Sequence, residues 1–437
     1  MKITIDKLIY GGFGLGKAAD GKIVFVPKSV PGDTVEVVPI AEKKSHTTAK
    51  ITKIIDSSPH RTNPPCPFFD LCGSCDHQNI PYEHQLTLKN DIFREILLRQ
   101  KIHLTPENII STAAADSFQY RNSLRLFATK INGQVYFTRH TIEGYNSFVP
   151  INHCLLMTDY NNQLLAPILH VLNNHQNSTI TLWQVRIREG IFTGESMVDF
   201  ITIGSHLPEK DGLIKTLQQF PHVKSIYHTI ATSKNLNHLS HKLLFGAPCI
   251  HEKVGKYIFR ISPESFFQPN SRNIQTLYNV INNYAAPNQN DTLLDLYCGT
   301  GTIGIYLSNK VGKIIGIENS ASAIKDAHYN AAINNISHAS YHCGDVERIL
   351  ASKSFSADIV IIDPPRAGLT NKTILALSKI NFQRIVYASC NPTTFARDVA
   401  KFREQNIHLT KVQPIDMFPH THHIECVGLL EREGRTK

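Results

Sequence analysis

The 437-residue chain has no long hydrophobic run. No stretch approaches the roughly 18 apolar residues that a membrane span requires, and the segment Met1–Asp6 has no apolar signal core. A cytoplasmic protein without a membrane partner is therefore expected. Internal repeats and low-complexity tracts are also absent from the sequence. The length predicts roughly two to four domains with a substantial core.

Cysteine and charge narrow the function classes further. Nine cysteines is an odd number, and without a secretion signal it argues against a disulfide framework and favours metal-binding or catalytic thiols. Acidic residues are outnumbered, so the formal net charge is +9, and 22 histidines add positive charge in mild acid. An anionic partner is expected, with nucleic acid first. A generally basic, solvated surface is the alternative.

Residues 1–56 alternate short β-rich runs with glycine-rich turns. Their spacing predicts a small β-barrel, and nine lysines against six acidic residues give it the positive balance of an oligonucleotide-binding module. The glycine-rich segment Tyr10–Lys17, followed by Asp20–Pro27 and by Pro31-Gly32-Asp33, resembles the TRAM domain of RNA-modifying enzymes. An RNA-binding barrel is therefore expected at residues 1–56.

The rest of the chain divides in two. A proline-rich linker precedes a predicted helix, Tyr82–Gln100, and strand-like segments between about 118 and 262 predict a largely antiparallel central domain over residues 57–265. Strands then alternate with helix-length segments, which predicts a doubly wound, Rossmann-like α/β domain over residues 266–437. The predicted strands of that domain are 292–296, 313–317, 357–363 and 384–389.

Three cysteines lie within ten residues of an irregular loop. Cys66, Cys72 and Cys75 have the spacing Cys-x5-Cys-x2-Cys, and Cys154 follows 79 positions after Cys75. Such a loop does not readily bury three thiols as core, so metal ligation is favoured, although zinc and iron-sulfur clusters both accept four thiolates. The scattered cysteines are predicted to be core or incidental residues: 249, 298, 343 and 426.

A glycine-rich loop follows the first predicted strand of the α/β domain. Gly299, Gly301 and Gly304 form the pattern Gly-x-Gly-x-x-Gly. Glu318 ends the next strand, at the position where nucleotide-binding folds place an acid that hydrogen-bonds the ribose. This pattern serves NAD and S-adenosylmethionine equally well, so a dehydrogenase is a competing function. Asp295, placed for a methionine amino group, favours S-adenosylmethionine, as do the later Asp-Pro-Pro and Ser-Cys-Asn-Pro segments, because pyrophosphate recognition explains none of them.

Asp345 lies after another short strand-like stretch, directly behind Gly344. It is predicted to offer a carboxylate to the adenine amino group of the cofactor. The alternative is a simple turn residue, because aspartate commonly bonds the backbone of its own turn.

Two strand ends and one acid within an apolar strand provide the candidate catalytic residues. Asp363 and Cys390 each follow a predicted strand, and ligands of open α/β sheets bind outside those carboxyl ends, so Cys390 is interpreted as a nucleophile rather than as a small buried hydrophobe. Glu425 interrupts an apolar C-terminal strand, where a carboxylate is costly unless it is paired or used. An edge position facing water is the alternative for Glu425.

These groups fit one reaction. Uracil C5 is too weak a nucleophile to take a methyl group directly, but addition of a thiolate at C6 gives C5 carbanion character. A base must then remove the C5 proton before the thiol leaves. This chemistry requires one nucleophile and one base, and Cys390 and Glu425 are the candidates.

The motifs occur in the order found in the RNA uracil-C5 methyltransferases, and the chain resembles that family, in its rRNA-type branch with a TRAM domain, over nearly its whole length. The resemblance implies Cys390 as nucleophile, Glu425 as base and S-adenosyl-L-methionine as cofactor. It also implies a [4Fe-4S] cluster on Cys66, Cys72, Cys75 and Cys154, with a structural or RNA-positioning role. The implied cofactor contacts are Gln268, Tyr297 through its backbone, Thr302, Glu318 and Asp363. Thr302 stands where some rRNA-modifying members carry asparagine.

Three other functions compete. An RNA cytosine-C5 methyltransferase needs a second cysteine beside its Asp-Pro pair, where this chain has Pro365-Arg366. A dehydrogenase requires NAD, and a non-catalytic RNA-binding protein needs neither Cys390 nor Glu425. We expect a monomer that forms 5-methyluridine in RNA. Ribosomal RNA, most of all 23S rRNA, is favoured over tRNA because the barrel resembles that of the rRNA branch.

Overall fold

The computed structural model describes residues 1–110, 112, 116–142, 144–174, 181–234 and 239–432. Over these ranges the chain forms a closed barrel, two seven-stranded sheets, a two-stranded sheet and ten α-helices. The predicted combination of a small barrel, a mixed central domain and a Rossmann-like C-terminal domain is confirmed. No helix within the described ranges has the length and apolar character needed to cross a membrane.

The N-terminal barrel is closed by five strands: β1 (Lys2–Ile9), β2 (Phe13–Lys17), β3 (Ile23–Pro27), β4 (Thr34–Glu42) and β5 (His46–Asp56). They are ordered β1-β2-β3-β5-β4, and alternate residues such as Ile3 and Ile5 fill the interior. The sequence did not predict β2, because Gly14 and Gly16 make this segment resemble a glycine-rich turn. Both glycines are required by close packing, since side chains there would collide with Ser29 and with the β1 backbone.

The central domain begins with helix α1 (Tyr82–Arg99), whose buried face includes Phe93 and Leu97. A seven-stranded sheet follows, with short helices α2 (Asp159–Asn162), α3 (Leu165–Asn173) and α4 (Lys210–Leu217). The strands are β6 (Ser123–Ile131), β7 (Gln134–Thr141), β8 (Gly144–Pro150), β9 (Leu182–Gly190), β10 (Glu195–Ile203), β11 (Val223–Ala231) and β12 (Ser240–Gly246). Their order is β12-β11-β10-β9-β6-β7-β8, and every pair is antiparallel except β10 with β11.

A hairpin and a long helix lead into the C-terminal domain. The hairpin joins β13 (Ile250–Val254) to β14 (Tyr257–Ile261), and α5 (Ser271–Ala285) starts at Asn270, whose side chain accepts a hydrogen bond from the backbone of Asn273. Two 3-10 turns, Pro106–Asn108 and Ser308–Lys310, complete the helical segments of the described ranges.

The C-terminal sheet alternates with helices α6 (Thr302–Leu307), α7 (Ala321–Ile333), α8 (Val346–Ser352), α9 (Asn371–Ser378) and α10 (Pro392–Arg403). Its strands are β15 (Thr292–Leu296), β16 (Lys313–Glu318), β17 (Ala339–Cys343), β18 (Ile359–Ile362), β19 (Arg384–Ser389), β20 (Ile407–Ile415) and β21 (Glu425–Arg432). The order is β17-β16-β15-β18-β19-β21-β20. The first five strands are parallel, and β21 and β20 are antiparallel additions.

Both faces of this sheet are buried, which explains the continuous apolar runs of its strands. Along β15, Leu294 and Leu296 join one hydrophobic cluster, and Leu293 joins the cluster on the opposite face. The strand order reverses between β15 and β18, so a crevice for ligands is expected at the carboxyl ends of these two strands.

Candidate active site

Three residues that are distant in sequence meet at the carboxyl edge of the C-terminal sheet. Asp363 follows β18 and Cys390 follows the neighbouring β19. Strand β21 runs antiparallel to β19 with Cys426 opposite Ser389, so Glu425, the first residue of β21, lies at the same edge. The structure thus brings together the thiol and the two carboxyl groups that the sequence singled out.

Cys390 is half-buried in the turn between β19 and α10. Asn391 fixes this turn: its side-chain oxygen accepts the backbone N–H of Thr393 (3.1 Å), and its amide nitrogen donates to the carbonyl of Arg366 (3.1 Å). Burial, and then the charges of Glu425 and Asp363, raise the pKa of the Cys390 thiol to about 12, while the Arg366 guanidinium lowers it. The resting thiol is therefore protonated near neutral pH and must lose its proton to act.

Glu425 and Asp363 form a coupled pair of carboxyl groups. Glu425 is 1% exposed, so it does not face water at a sheet edge. Burial, followed by the charge of Asp363, raises the pKa of Glu425 well above its usual value. Burial also raises the pKa of Asp363 to about 7, although the side chain of Gln268 donates to its Oδ2 (3.2 Å). Because two like charges in a poorly solvated site disfavour each other, the pair retains a proton near neutral pH.

The glycine-rich loop between β15 and α6 lies beside these groups. Tyr297 adopts a left-handed backbone conformation (φ 59°), and its ring packs against the hydrophobic core. The backbone of Tyr297, rather than its ring, is therefore available to a ligand. Glu318, at the end of β16, accepts the backbone N–H groups of Gly299 (3.2 Å) and Ser320 (2.8 Å). These bonds hold its carboxylate at the mouth of the crevice.

Asp295 is buried under the same loop, 1% exposed. Its Oδ2 accepts the N–H of Gly304 (3.1 Å), and its Oδ1 has no hydrogen-bond partner among the described residues. Burial, and then the charges of Asp363 and Glu318, raise the pKa of Asp295 to about 7. An unpartnered buried oxygen is costly, so this position fits a ligand cation such as an amino group.

Two other predicted cofactor residues already have partners within the protein. The hydroxyl of Thr302 accepts a hydrogen bond from Tyr278 (2.7 Å). Asp345 is the cap of α8 and accepts the N–H of Arg348 (3.0 Å), so the turn role that the sequence left open is realised. Contact of Asp345 with adenine stays a prediction.

Sequence reasoning missed two groups at this edge. Arg366 follows the Asp-Pro-Pro segment, contacts His423 (Nη2 to Nδ1, 3.3 Å) and is the cation that acts on the Cys390 thiol. Tyr10 arrives from the barrel: its ring lies edge-on to His422 at 5.8 Å, and its side chain packs in the core cluster that contains Cys426. The Asp-Pro-Pro-Arg motif signalled Arg366, whereas no local pattern signals Tyr10.

The four cysteines of the predicted metal site line one small cavity, together with Ser74 and Arg139. All four are free thiols, and Cys75 is the most buried of them. No group of three or more histidine, cysteine or acidic side chains within the described ranges has the spacing of a formed metal site. Four thiols around one cavity nevertheless provide a donor set suited to a [4Fe-4S] cluster or to zinc. Of the scattered cysteines, Cys249, Cys298 and Cys426 are buried, and Cys343 is exposed.

Comparisons with known proteins cover nearly the whole chain. Residues 81–343 and 345–433 match the family described as tRNA (Uracil-5-)-methyltransferase, and residues 1–60 match the TRAM domain of tRNA (uracil(54)-C(5))-methyltransferase. An uncharacterized RNA methyltransferase of Fusobacterium nucleatum is 34% identical over 99% of this chain and 96% of its own length. Another, from Bacillus cereus, is 31% identical over 98% of this chain and 96% of its own length.

A solved structure agrees over the same length. The Pyrococcus abyssi tRNA (uracil-54, C5)-methyltransferase in complex with S-adenosyl-L-homocysteine superposes with a TM-score of 0.76 and 28% identity, covering 98% of this chain and 99% of that one. The comparisons decide for a methyltransferase and against a dehydrogenase. They confirm the prediction of an S-adenosylmethionine-dependent RNA (uracil-C5)-methyltransferase. The chain belongs to the tRNA (uracil-5-)-methyltransferase family.

Proposed function

We propose that the protein methylates C5 of a uridine in structured RNA with Cys390 as the nucleophile and Glu425 as the base. The observation that carries this proposal is the meeting of the Cys390 thiol, Glu425 and Asp363 at the edge of the sheet beside the glycine-rich loop. A thiol whose neighbours are two carboxyl groups of raised pKa combines a nucleophile with groups that accept a proton when they are ionised.

Each step after loss of the Cys390 thiol proton to solvent has an assigned group. The Cys390 thiolate bonds to uracil C6, and the electrons of the C5–C6 double bond move to form an enolate. C5 then takes the methyl group, which S-adenosylmethionine supplies when bound, with S-adenosylhomocysteine as the leaving group. Glu425 removes the C5 proton, the double bond re-forms, and the bond between C6 and sulfur breaks to release the product. The raised pKa of Glu425 makes its carboxylate a stronger proton acceptor than an ordinary glutamate.

The cofactor contacts are proposed at the switch point of the sheet. Glu318 would hold the ribose, Asp345 the adenine amino group, and the backbone near Tyr297 would line the loop. Gln268 and Asp363, which bond each other, and Thr302 complete the proposed set. Asp295 supports this placement because its free oxygen faces no protein partner within the described ranges.

Replacing Asp295 with asparagine is expected to weaken S-adenosylmethionine binding by about 10-fold to 100-fold, the effect of losing a charge-assisted hydrogen bond. In the wild-type protein the ionised carboxylate binds the amino group, so affinity should rise as pH increases through about 7, the pKa of Asp295. Calorimetric titration between pH 6 and pH 8 measures both effects. Equal affinities of the variant and the wild type would contradict the assignment.

We propose ribosomal RNA, with 23S rRNA first, as the substrate class. The support is the resemblance of the sequence of residues 1–56 to the rRNA branch, whereas the family comparison matches residues 1–60 to the TRAM domain of tRNA (uracil(54)-C(5))-methyltransferase. Transfer RNA is the second candidate, since the similar Pyrococcus abyssi enzyme is a tRNA (uracil-54, C5)-methyltransferase. The test incubates the protein and S-adenosylmethionine separately with rRNA and tRNA that lack 5-methyluridine, followed by mapping of the new nucleotide. Methylation of tRNA alone would overturn the rRNA assignment, and methylation of neither would overturn the proposed function.

The proposed division of labour follows the three predicted regions. Residues 1–56 would bind RNA, residues 57–265 would hold the cysteine site and position RNA, and residues 266–437 would carry the cofactor and the chemistry. The barrel turn at Tyr10 supports a direct contribution of the first region to the active site, because it contacts the loop that precedes Glu425. We propose that the enzyme acts as a monomer.

We propose that Cys66, Cys72, Cys75 and Cys154 hold a [4Fe-4S] cluster. The support is their position around one cavity as free thiols. Anaerobically purified protein is expected to contain about four iron and four acid-labile sulfide atoms per chain, and Cys75→Ser should lose most of both. If the protein instead contains about one zinc per chain and no sulfide, the cluster assignment is overturned in favour of a structural zinc site.

A further inference from the structure

The segment that delivers Glu425 is a loop held from outside its own domain. We name residues 416–424, between β20 and β21, the base loop, and residues 66–77 the cysteine loop. The first half of the base loop is bound by α1 and α5: Lys89 donates to Asp416 Oδ1 (2.7 Å), and Asn273 donates to the Asp416 carbonyl (3.1 Å). In the second half, which runs into Glu425, the N–H of His420 donates to Gln85 of α1 (3.0 Å), and the cysteine loop binds both His420 and His422.

Four contacts join the two loops. The backbone N–H groups of Asp76 and His77 both donate to the carbonyl of His420 (2.8 and 3.0 Å). In return, Asp76 Oδ2 accepts the N–H of His422 (2.9 Å) and lies 2.8 Å from His422 Nδ1. His422 is three residues before Glu425, so these contacts fix the chain just ahead of the proposed base.

The barrel closes over the same point. A Cβ added to Gly12 would lie 2.7 Å from Asp76 Oδ1, so the turn between β1 and β2 packs directly on this carboxylate. Tyr10, from the same turn, places its ring against that of His422. Asp76 is thus enclosed by the barrel, the cysteine loop and the base loop, although it touches neither Cys390 nor Glu425.

The nucleophile is held by different groups. Cys390 sits on the turn that Asn391 fixes to the Arg366 carbonyl and to α10. Arg366 also contacts His423 of the base loop, but its backbone is bound by Asn391 and Thr394. Movement of the base loop should therefore displace Glu425 and leave the thiol in place.

We propose that Asp76 is a positioning residue that holds the base loop so that Glu425 reaches the C5 proton. This inference rests on the proposed roles of Cys390 and Glu425. Its consequence is that the cysteine loop controls the last step of the reaction: whatever orders residues 66–77 also orders the segment carrying the base. Binding of the methyl donor and formation of the covalent adduct do not depend on Asp76.

The test separates adduct formation from product release. Asp76→Ala is expected to form the covalent complex with RNA within about 3-fold of the wild-type rate. It should release methylated product about 100-fold more slowly, the effect of misplacing a catalytic group by about 1 Å. The unresolved adduct should then accumulate on ordinary uridine RNA and appear as a retarded band in denaturing gels, as expected for Glu425→Gln. Iron and sulfide contents of all variants are measured in parallel.

Controls come from the same loops. Asp70→Asn alters an exposed acid of the cysteine loop and should leave both rates unchanged. His422→Phe removes the imidazole that contacts Asp76 from the base loop, and it keeps an aromatic ring beside Tyr10. It removes only the Nδ1 contact and keeps the backbone N–H, so it should show the same type of defect as Asp76→Ala, to an equal or smaller extent. The double variant should be no slower than Asp76→Ala, because Asp76→Ala already removes both contacts.

The outcomes distinguish this inference from the proposed function. If wild-type protein forms no adduct and methylates no RNA, the proposed function fails. If the wild type turns over and Glu425→Gln accumulates adduct, but Asp76→Ala and His422→Phe do not, only the positioning role is overturned. If both variants lose adduct formation and product release equally, the positioning role is likewise overturned. Such a result indicates a general folding defect, whereas a positioning role predicts slower product release alone.

Discussion

Cys390→Ala is expected to abolish methylation, with a loss on the order of 10⁴-fold or more, because the variant lacks the thiol that is proposed to bond to uracil C6. The variant should also fail to form a covalent complex with RNA containing 5-fluorouridine, in which fluorine at C5 blocks the release step. Both results are measured with radiolabelled RNA, by methyl incorporation and by denaturing gel electrophoresis.

The matched control is Cys249→Ala, which removes a buried thiol of the central region. It should retain activity and complex formation. Persistence of the 5-fluorouridine complex in Cys390→Ala would reject Cys390 as the nucleophile, since a covalent bond would then come from another residue. Cofactor binding by Cys390→Ala should remain near the wild-type level, which separates loss of chemistry from loss of fold.

Glu425→Gln is expected to stop the reaction one step later. Glutamine fills the same volume but cannot accept the C5 proton, so turnover should fall by about 10²-fold to 10⁴-fold, the usual contribution of a general base. Because addition and methyl transfer precede this step, a covalent methylated adduct should accumulate on ordinary RNA. Mass spectrometry of the digested complex would identify it. Unchanged turnover would assign the base to another group.

The stability of Glu425→Gln provides an internal check. Burial raises the pKa of Glu425, so the folded wild-type protein holds this proton more tightly than the unfolded chain does. The stabilisation that comes from this bound proton is therefore complete below the pKa that Glu425 has in the unfolded chain. It is lost as pH rises through the pKa that Glu425 has in the folded protein. Relative to the wild type, the variant should gain melting temperature with increasing pH, by roughly 2–4 °C for each kcal/mol relieved. A gain that is greatest in acid would contradict this electrostatic account.

Much of the C-terminal domain could be predicted from short-range patterns. Its strands carry continuous apolar runs because both faces of the sheet are buried, and the predicted strands 292–296 and 384–389 coincide with β15 and β19. The glycine-rich β2 was missed for the opposite reason. Its glycines are set by contacts with Ser29 and the β1 backbone, which are not neighbours in sequence.

The candidate site divides in the same way. Residues at strand ends, such as Cys390, Asp363 and Glu318, could be predicted because parallel strands all present their carboxyl ends to one edge. Asp345 was ambiguous because an acid after a glycine serves equally as a helix cap, and it caps α8 here. Tyr10 and Asp76 could not be found this way, since their partners lie hundreds of positions away.

The sequence alone was enough to predict a thiol and a carboxyl group at strand ends, a glycine-rich loop beside them, and a set of cysteines in an irregular loop. Those features follow from residue type and local spacing. Three further features are visible only in the folded chain. Glu425 is shielded from water beside Asp363, the four cysteines line one cavity, and Asp76 joins the barrel and the cysteine loop to the base loop. Burial, charge coupling and hydrogen bonds between loops depend on distances in space, which local sequence patterns do not encode.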